Sequence, residues 1–436
     1  MTTYRPYSVY KPFDVDWLGD LPNHWELRRL KFVAPPATTK LNEKPTDKLY
    51  LGLENIESGT GRLLLDSPIE NVESVVTVFQ PDDVLFGKLR PYLAKVVHAD
   101  FEGVCTGELM VLRPVNHLVH SRFLFYLMLS HGFINIVDSM TYGAKMPRAN
   151  PNHVVNLPIS LPSLAEQRAI AAFLDRETVW LDTLIAKKRE LIDLLHKQRT
   201  AIISHAVTKG LNPHAPLKPS GIEWLGDVPA YWEVRRLKFL LKERLRYGAN
   251  EVAELDNPNY PRYIRITDIN PDGSLRSDTF RSLPPEVAKP YMLKDGDILF
   301  ARSGATVGKT FQYSSAWGDA CFAGYLILCR PDNRLIDSRF LYLFTQSHSY
   351  LSWRDSIFIQ ATIQNISAEK YYNVIIAVPP LSEQQQIVDF LSQETAYIDE
   401  MIAKIETSID LLQKQRTAII SAAVTGKIDV RTQEPA

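Results

Sequence analysis

Residues 164–208 read "LAEQRAIAAFLDRETVWLDTLIAKKRELIDLLHKQRTAIISHAVT", and residues 381–425 read "LSEQQQIVDFLSQETAYIDEMIAKIETSIDLLQKQRTAIISAAVT". The two stretches lie 217 residues apart and share more than half their positions. Neither contains Gly or Pro, so each is expected to be one helix of roughly 65 Å at ~1.5 Å per residue. Apolar residues recur by fours and threes: Ile170, Leu174, Leu181, Leu184, Leu191, Leu195 and Ile202 in the first, and Ile387, Leu391, Ile398, Met401, Ile405, Leu412 and Ile419 in the second. That spacing predicts a coiled-coil seam, and the seam together with the repeat sets the expectation that the two helices pack on each other antiparallel. Ser163 and Ser382 stand near the helix starts as candidate caps.

The repetition extends upstream. "WLGDLPNHWELRRLKF" (17–32) returns as "WLGDVPAYWEVRRLKF" (224–239). Between these anchors the likeness is faint: "DVLF" (83–86) meets "DILF" (297–300), and "SRFL" occurs at both 121–124 and 338–341. Each half therefore has a fixed beginning, a divergent middle and a fixed end, the mark of a duplicated unit whose middles acquired different surfaces. The middles alternate short strand-like runs with a helical segment. The expected fold is mixed α+β with a pseudo-two-fold internal repeat. Its parts are a first globular α/β domain (1–160), a central helical spacer (161–210), a second α/β domain (211–377) and a distal helical spacer (378–428).

Composition narrows the classes. The chain has 436 residues, a net charge of −1 and 3 cysteines. Three cysteines without a CxxC pair make no disulfide framework, and a cytoplasmic location is the expectation. No apolar run reaches the roughly 18 residues of a membrane helix, and no secretory signal is expected. A near-zero charge argues weakly against nucleic acid, but a basic face needs only local charge.

"ARSGATVGKT" (301–310) resembles a phosphate loop, yet only three residues separate Gly304 from Gly308, where the nucleotide motif needs four between its glycines. In the other half "GKLRPYLAK" (87–95) occupies the same place with no glycine loop. Both copies keep a base at the strand end, Lys88 or Arg302, and another seven residues on, Lys95 or Lys309. Such bases suit phosphodiesters better than a nucleotide. "DNPNY" (256–260) is expected to be a turn rather than a methyltransferase loop. No metal-ligand spacing, cofactor motif or catalytic constellation appears, and no catalysis is expected.

The paired motifs together resemble the specificity subunit of type I restriction–modification enzymes, over essentially the whole chain. That resemblance implies a non-catalytic subunit that brings two adenine-methyltransferase subunits, and optionally two nuclease/translocase subunits, to double-stranded DNA. Each variable domain would be a target recognition domain reading one half of a bipartite asymmetric site, and the helices would act as a ruler. The competing reading is a coiled-coil scaffold that binds only protein, which would gain nothing from unlike middles. Candidate DNA contacts are Lys88, Arg90, Lys95, Arg302 and Lys309. Lys145, Arg148 and Asn150 in "TYGAKMPRAN" (141–150), and Gln360, Gln364 and Asn365 in "IQATIQNIS" (359–367), have the donors and acceptors that read base edges.

Overall fold

The computed structural model describes residues 4–42, 48–64, 75–270, 273–304, 306–358 and 365–431. The chain forms two compact units, one of residues 1–189 with 406–436, the other of residues 190–405. The division cuts both long helices, Leu164–Lys209 and Leu381–Val424, so that each unit holds one domain and a segment of each helix.

In the first unit, strand Val84–Gly87 lies between Leu109–Leu112 and Val96–His98, all antiparallel. A second sheet pairs Leu49–Leu51 parallel to Gly103–Cys105, with Val76–Phe79 and Lys40–Leu41 beyond. The second unit repeats this plan. Strand Ile298–Ala301 lies between Leu326–Cys329 and Thr310–Gln312, and Arg262–Ile264 runs parallel to Ala320–Phe322. The central strands are buried on both faces, which is why they read as unbroken apolar runs rather than alternating ones. In each half the repeated "RR" strand pairs with the strand that leads into the long helix: Glu26–Arg29 with Pro158–Leu161, and Glu233–Arg236 with Ile375–Val378.

One fully buried tryptophan anchors each unit. Trp25 donates its indole N–H to Glu166 at 3.1 Å, and Trp232 donates to Glu383 at 3.1 Å. Glu166 and Glu383 stand in the first turns of the two long helices, where a carboxylate also meets the positive end of the helix dipole. The far end of the other helix closes on the same ring. Gly426, at φ +67°, leaves a space that an added Cβ would fill to within 3.2 Å of Trp25; Gly210, at φ +75°, does the same against Trp232. A positive φ and a ring this close together require glycine at both ends.

Within each unit the helix segments pack antiparallel. In the first, Arg416 pairs with Asp182 at 2.9 Å and Ser160 donates to the Val424 carbonyl, so later residues of one helix meet earlier residues of the other. In the second, Arg199 pairs with Asp399 at 3.0 Å, and Leu195, Ile398 and Ile402 form a small core. Arg199 and Arg416 are repeat equivalents, as are Asp182 and Asp399. The seam departs from the heptad expectation at Leu191, which is 43% exposed, while Ile185 and Leu195 are buried. A straight helix of 3.6 residues per turn drifts roughly 20° per heptad from a 3.5 repeat, which carries Leu191 off the contact line. The Ser163 hydroxyl accepts from the Glu166 amide at 3.3 Å, whereas at the second helix the Pro380 carbonyl accepts from Glu383 and Gln384.

Candidate nucleic-acid interface

Three backbone segments meet at the end of the central strand in each unit. In the first, the Lys88 amide donates to the Glu108 carbonyl at 2.9 Å, and the Ala149 amide donates to the Lys88 carbonyl at 2.8 Å. In the second, the Arg302 amide donates to the Tyr325 carbonyl at 3.1 Å, and the Ile366 amide donates to the Arg302 carbonyl at 2.9 Å. Isolated bridges Leu89–Arg148 and Ser303–Asn365 complete the same pattern. The frame therefore equates Lys88 with Arg302, Glu108 with Tyr325 and Arg148 with Asn365. Backbone bonding alone builds it, which leaves the side chains free to differ.

They differ completely. In the first unit the exposed Arg148 pairs with Glu108, Nη2 to Oε1, at 2.7 Å. The other Glu108 oxygen is covered and has no hydrogen-bond partner. Burial lowers the Lys88 pKa; the Glu108 carboxylate opposes that shift, while Arg148 and Lys40 add to it. Arg90 and Ala94 flank a short turn, and both hold positive φ, of 50° and 48°. Left-handed backbone at non-glycine residues is strained, and such strain gathers at functional loops. Lys95 is partly covered and donates to the Leu53 carbonyl at 2.6 Å, and burial lowers its pKa too. Lys145 is exposed with its neighbours Tyr142 and Met146. The Asn150 side chain accepts from the Asn152 amide, so its oxygen caps the helix Pro151–Asn156.

In the second unit the Arg302 guanidinium lies over the Tyr247 ring, 4.7 Å from its centre. The Tyr247 hydroxyl accepts from the Ala368 amide at 3.1 Å, which fixes the ring. Arg302 Nε and Asn365 Oδ1 are covered and unpartnered. Lys309 is exposed. Gln360 and Gln364 lie outside the described residues. The segment carrying Gly304 and Gly308 joins two antiparallel strands, Ile298–Ala301 and Thr310–Gln312. A phosphate loop must open a helix so that its N-terminal amides face the anion; here Thr310 begins a strand instead, and the Gly308 carbonyl accepts from the Tyr350 hydroxyl at 2.8 Å. "DNPNY" is a turn in which the Asn257 side chain accepts from the Asn259 amide.

Glu108, Tyr325 and Tyr247 were not singled out by sequence. The signal for the first two was present: matching "RP" (113–114) to "RP" (330–331) sets Glu108 beside Tyr325. Tyr247 carried none, because its partner is reached only through the sheet. Among the described residues no cluster of His, Cys, Asp and Glu could hold a metal ion, and no helix is long and apolar enough to cross a membrane. The three cysteines are free and buried, and burial raises Cys105 and Cys321 to about 12.

The comparisons with known proteins bear on this geometry. The family model described as "Type I restriction modification DNA specificity domain" matches residues 72–194 and 229–411. The type I restriction enzyme MjaVIII specificity subunit of Methanocaldococcus jannaschii is 25% identical, over 94% of each chain. The EcoKI specificity subunit of Escherichia coli strain K12 is 23% identical, over 76% of this chain and 70% of its own length. A chain solved in work on complex assembly and conformational transition of the type I restriction–modification system is similar in fold. Its TM-score is 0.70 at 20% identity, covering 93% of this chain and 98% of that one. This chain belongs to the type I restriction–modification DNA specificity family.

Proposed function

We propose that residues 1–160 and 211–377 are two target recognition domains, each reading one half of a bipartite, asymmetric double-stranded DNA site through the three-segment face. The single observation that carries this is one backbone frame bearing different chemistry: Lys88, Glu108 and Arg148 in one unit, Arg302, Tyr325 and Asn365 in the other. A protein-only scaffold has no use for such a divergence, whereas a reader of two unlike half-sites requires it. Lys145, Lys95 and Lys309 supply phosphate contacts, and Arg90 and Asn150 shape the loops around them.

The helical spacers, 161–210 and 378–428, recruit adenine-methyltransferase subunits in the cytoplasm, and nuclease/translocase subunits are an optional addition to that assembly. The support is a large apolar group left exposed at matched positions of both copies: Trp180 at 56% and Tyr397 at 64%, Leu194 at 54% and Leu411 at 60%. Large apolar side chains exposed at matched positions of both helices suit a protein contact. A patch present twice predicts two methyltransferases. The test is co-expression with a methyltransferase subunit, mass measurement of the complex and sequencing for methyladenine. Trp180→Glu or Tyr397→Glu alone should leave a complex short of one methyltransferase, and the pair together should leave none. Full assembly of the double variant would place docking elsewhere, and absence of site-specific methyladenine from the wild-type complex would remove the reading function.

A further inference from the structure

We propose that each recognition domain reads one guanine of its half-site through a braced arginine: Arg148 held by Glu108 in the first domain, and Arg302 held by Tyr247 in the second. The inference rests on the reading that this face meets DNA, and it adds which side chains discriminate and for what base.

In the first domain the argument starts from charge. A phosphate draws cations that lack a counter-ion, but Arg148 already has one, since Glu108 lies 2.7 Å from its Nη2. Bringing a phosphate to that pair would set it against the Glu108 carboxylate, which makes a phosphate grip unfavourable. Glu108 cannot itself read a base. One of its oxygens is occupied by Arg148 and the other is covered. Its remaining role is orientation. The pair is open to an approaching duplex, with side-chain exposures of 44% for Arg148 and 31% for Glu108. A long arginine side chain loses much rotamer freedom when it binds; one already held in place loses less and presents its fork at a fixed angle. A fixed fork of N–H donors matches the paired acceptors O6 and N7 of guanine in the major groove.

The second domain holds its arginine with no counter-ion among the described residues, and there orientation alone carries the argument. Tyr325 stands where Glu108 stood, so there is no carboxylate in that place, and Asn365 stands where Arg148 stood. The arginine has moved to the first segment of the frame, as Arg302. The Tyr247 face, 4.7 Å away, fixes its plane, and the Ala368 amide fixes Tyr247. Arg302 Nε is covered, so the terminal nitrogens are the ones left to bind. Because the two arginines sit on different segments of one frame, the two guanines fall at different places relative to it. Two such readers specify an asymmetric site.

The test uses the whole methyltransferase complex and reads the methylated site by sequencing for methyladenine. The wild-type site should contain a guanine in each half; a half-site without one overturns the inference at once. Arg148→Lys keeps the charge and loses the fork. It should relax one guanine of the first half-site by roughly 10- to 100-fold, with the second half-site unchanged. Glu108→Gln should relax the same position by less, with the melting temperature unchanged, as expected of a positioning residue. Arg302→Lys and Tyr247→Leu should mirror this pair in the second half-site. If the lysine variants keep the guanine preference and change only affinity and salt dependence, the arginines contact phosphate, and this inference falls while DNA reading by the face stands. If they change neither affinity nor preference, the face does not meet DNA and both readings fall together.

Discussion

Arg416 and Arg199 occupy one position in the two copies of the long helix, and each forms an ion pair with the same repeat partner, Asp182 or Asp399. Glu108 and Tyr325 also occupy one position in two copies, yet they share only a backbone hydrogen bond. The contrast separates two kinds of constraint. Where a side chain holds the frame together, duplication has kept both the residue and its partner. Where the main chain holds the frame, the side chains have been free to change. Two domains that carry unlike surfaces on one frame need the second arrangement, because a new surface can then be installed without refolding the domain.

The sharpest test of the frame is the buried tryptophan. Trp25 and Trp232 are both 0% exposed, and both donate to the glutamate in the first turn of a long helix. Trp25→Ala or Trp232→Ala should each cost about 3–5 kcal/mol, from lost burial, a cavity and the loss of one hydrogen bond to a glutamate that Tyr7 or Tyr231 still partners. Denaturant unfolding would measure this. If one is tolerated and the other is not, the two halves are not held by equivalent anchors.

A smaller effect sharpens the comparison, because matched pairs are buried unequally. Arg330 and Arg113 each form paired bonds to a nearly covered aspartate, Asp297 or Asp83. The Arg330 side chain is 12% exposed and also pairs with Glu243; Arg113 is 41% exposed. Arg330→Ala should cost about 3–4 kcal/mol, since it strands a buried aspartate, and Arg113→Ala about 1–2, since water can reach the site it vacates. The long helices give a third matched pair. Arg416 is 8% exposed and also donates to the Gly59 and Thr60 carbonyls, whereas Arg199 is 30% exposed and bonds only to Asp399 among its described hydrogen bonds. Arg416→Ala should cost about 2–3 kcal/mol and Arg199→Ala under about 1. Equal losses in thermal unfolding would show that burial is not what separates the two copies.

The repeat makes the frame legible in the sequence. Identical stretches such as "KQRTAIIS" imply a common structure, and their spacing without Gly or Pro implies helices. The antiparallel seam was also legible, except where helical drift turns Leu191 outward. The face was legible only in part. Lys88, Arg148, Arg302 and Asn365 could be named because basic and amide groups on loops stand out. The repeat sets Glu108 beside Tyr325, but its role stays hidden, since an acid beside a strand reads as ordinary surface until Arg148 is found against it. Tyr247 could not be named, because it reaches Arg302 across the sheet rather than along the chain. What sequence conceals here is the bracing, which exists only between segments far apart in the chain.

The smallest expected effect is a difference in acid sensitivity between the two units. His98 and His120 belong to the first. His98 Nε2 lies 3.1 Å from Asp82 and 3.0 Å from Ser121. Burial lowers its pKa below the ordinary 6.5, with the Arg122 charge adding to the shift and Asp82 and Asp100 opposing it. Burial lowers His120 as well, with Arg168 adding to it and Asp82 and Asp175 opposing it. The second unit replaces both. Gln312 holds the strand position of His98, since each is paired with the first residue of the central strand. Asp337 holds the place of His120, since both backbone amides donate to the glutamine of a long helix. The sign follows from linkage. The folded histidines take up protons less readily than unfolded ones, so stability is present above pH 6.5 and is lost as the pH falls through and below it. The first unit should therefore open more readily at pH 5.5 than at pH 7.5, and the second should change less. Hydrogen exchange on the intact chain would resolve the units separately. His98→Gln with His120→Asp copies the second unit into the first and should flatten its response. An undiminished acid response in that variant would assign the sensitivity to other groups of the unit.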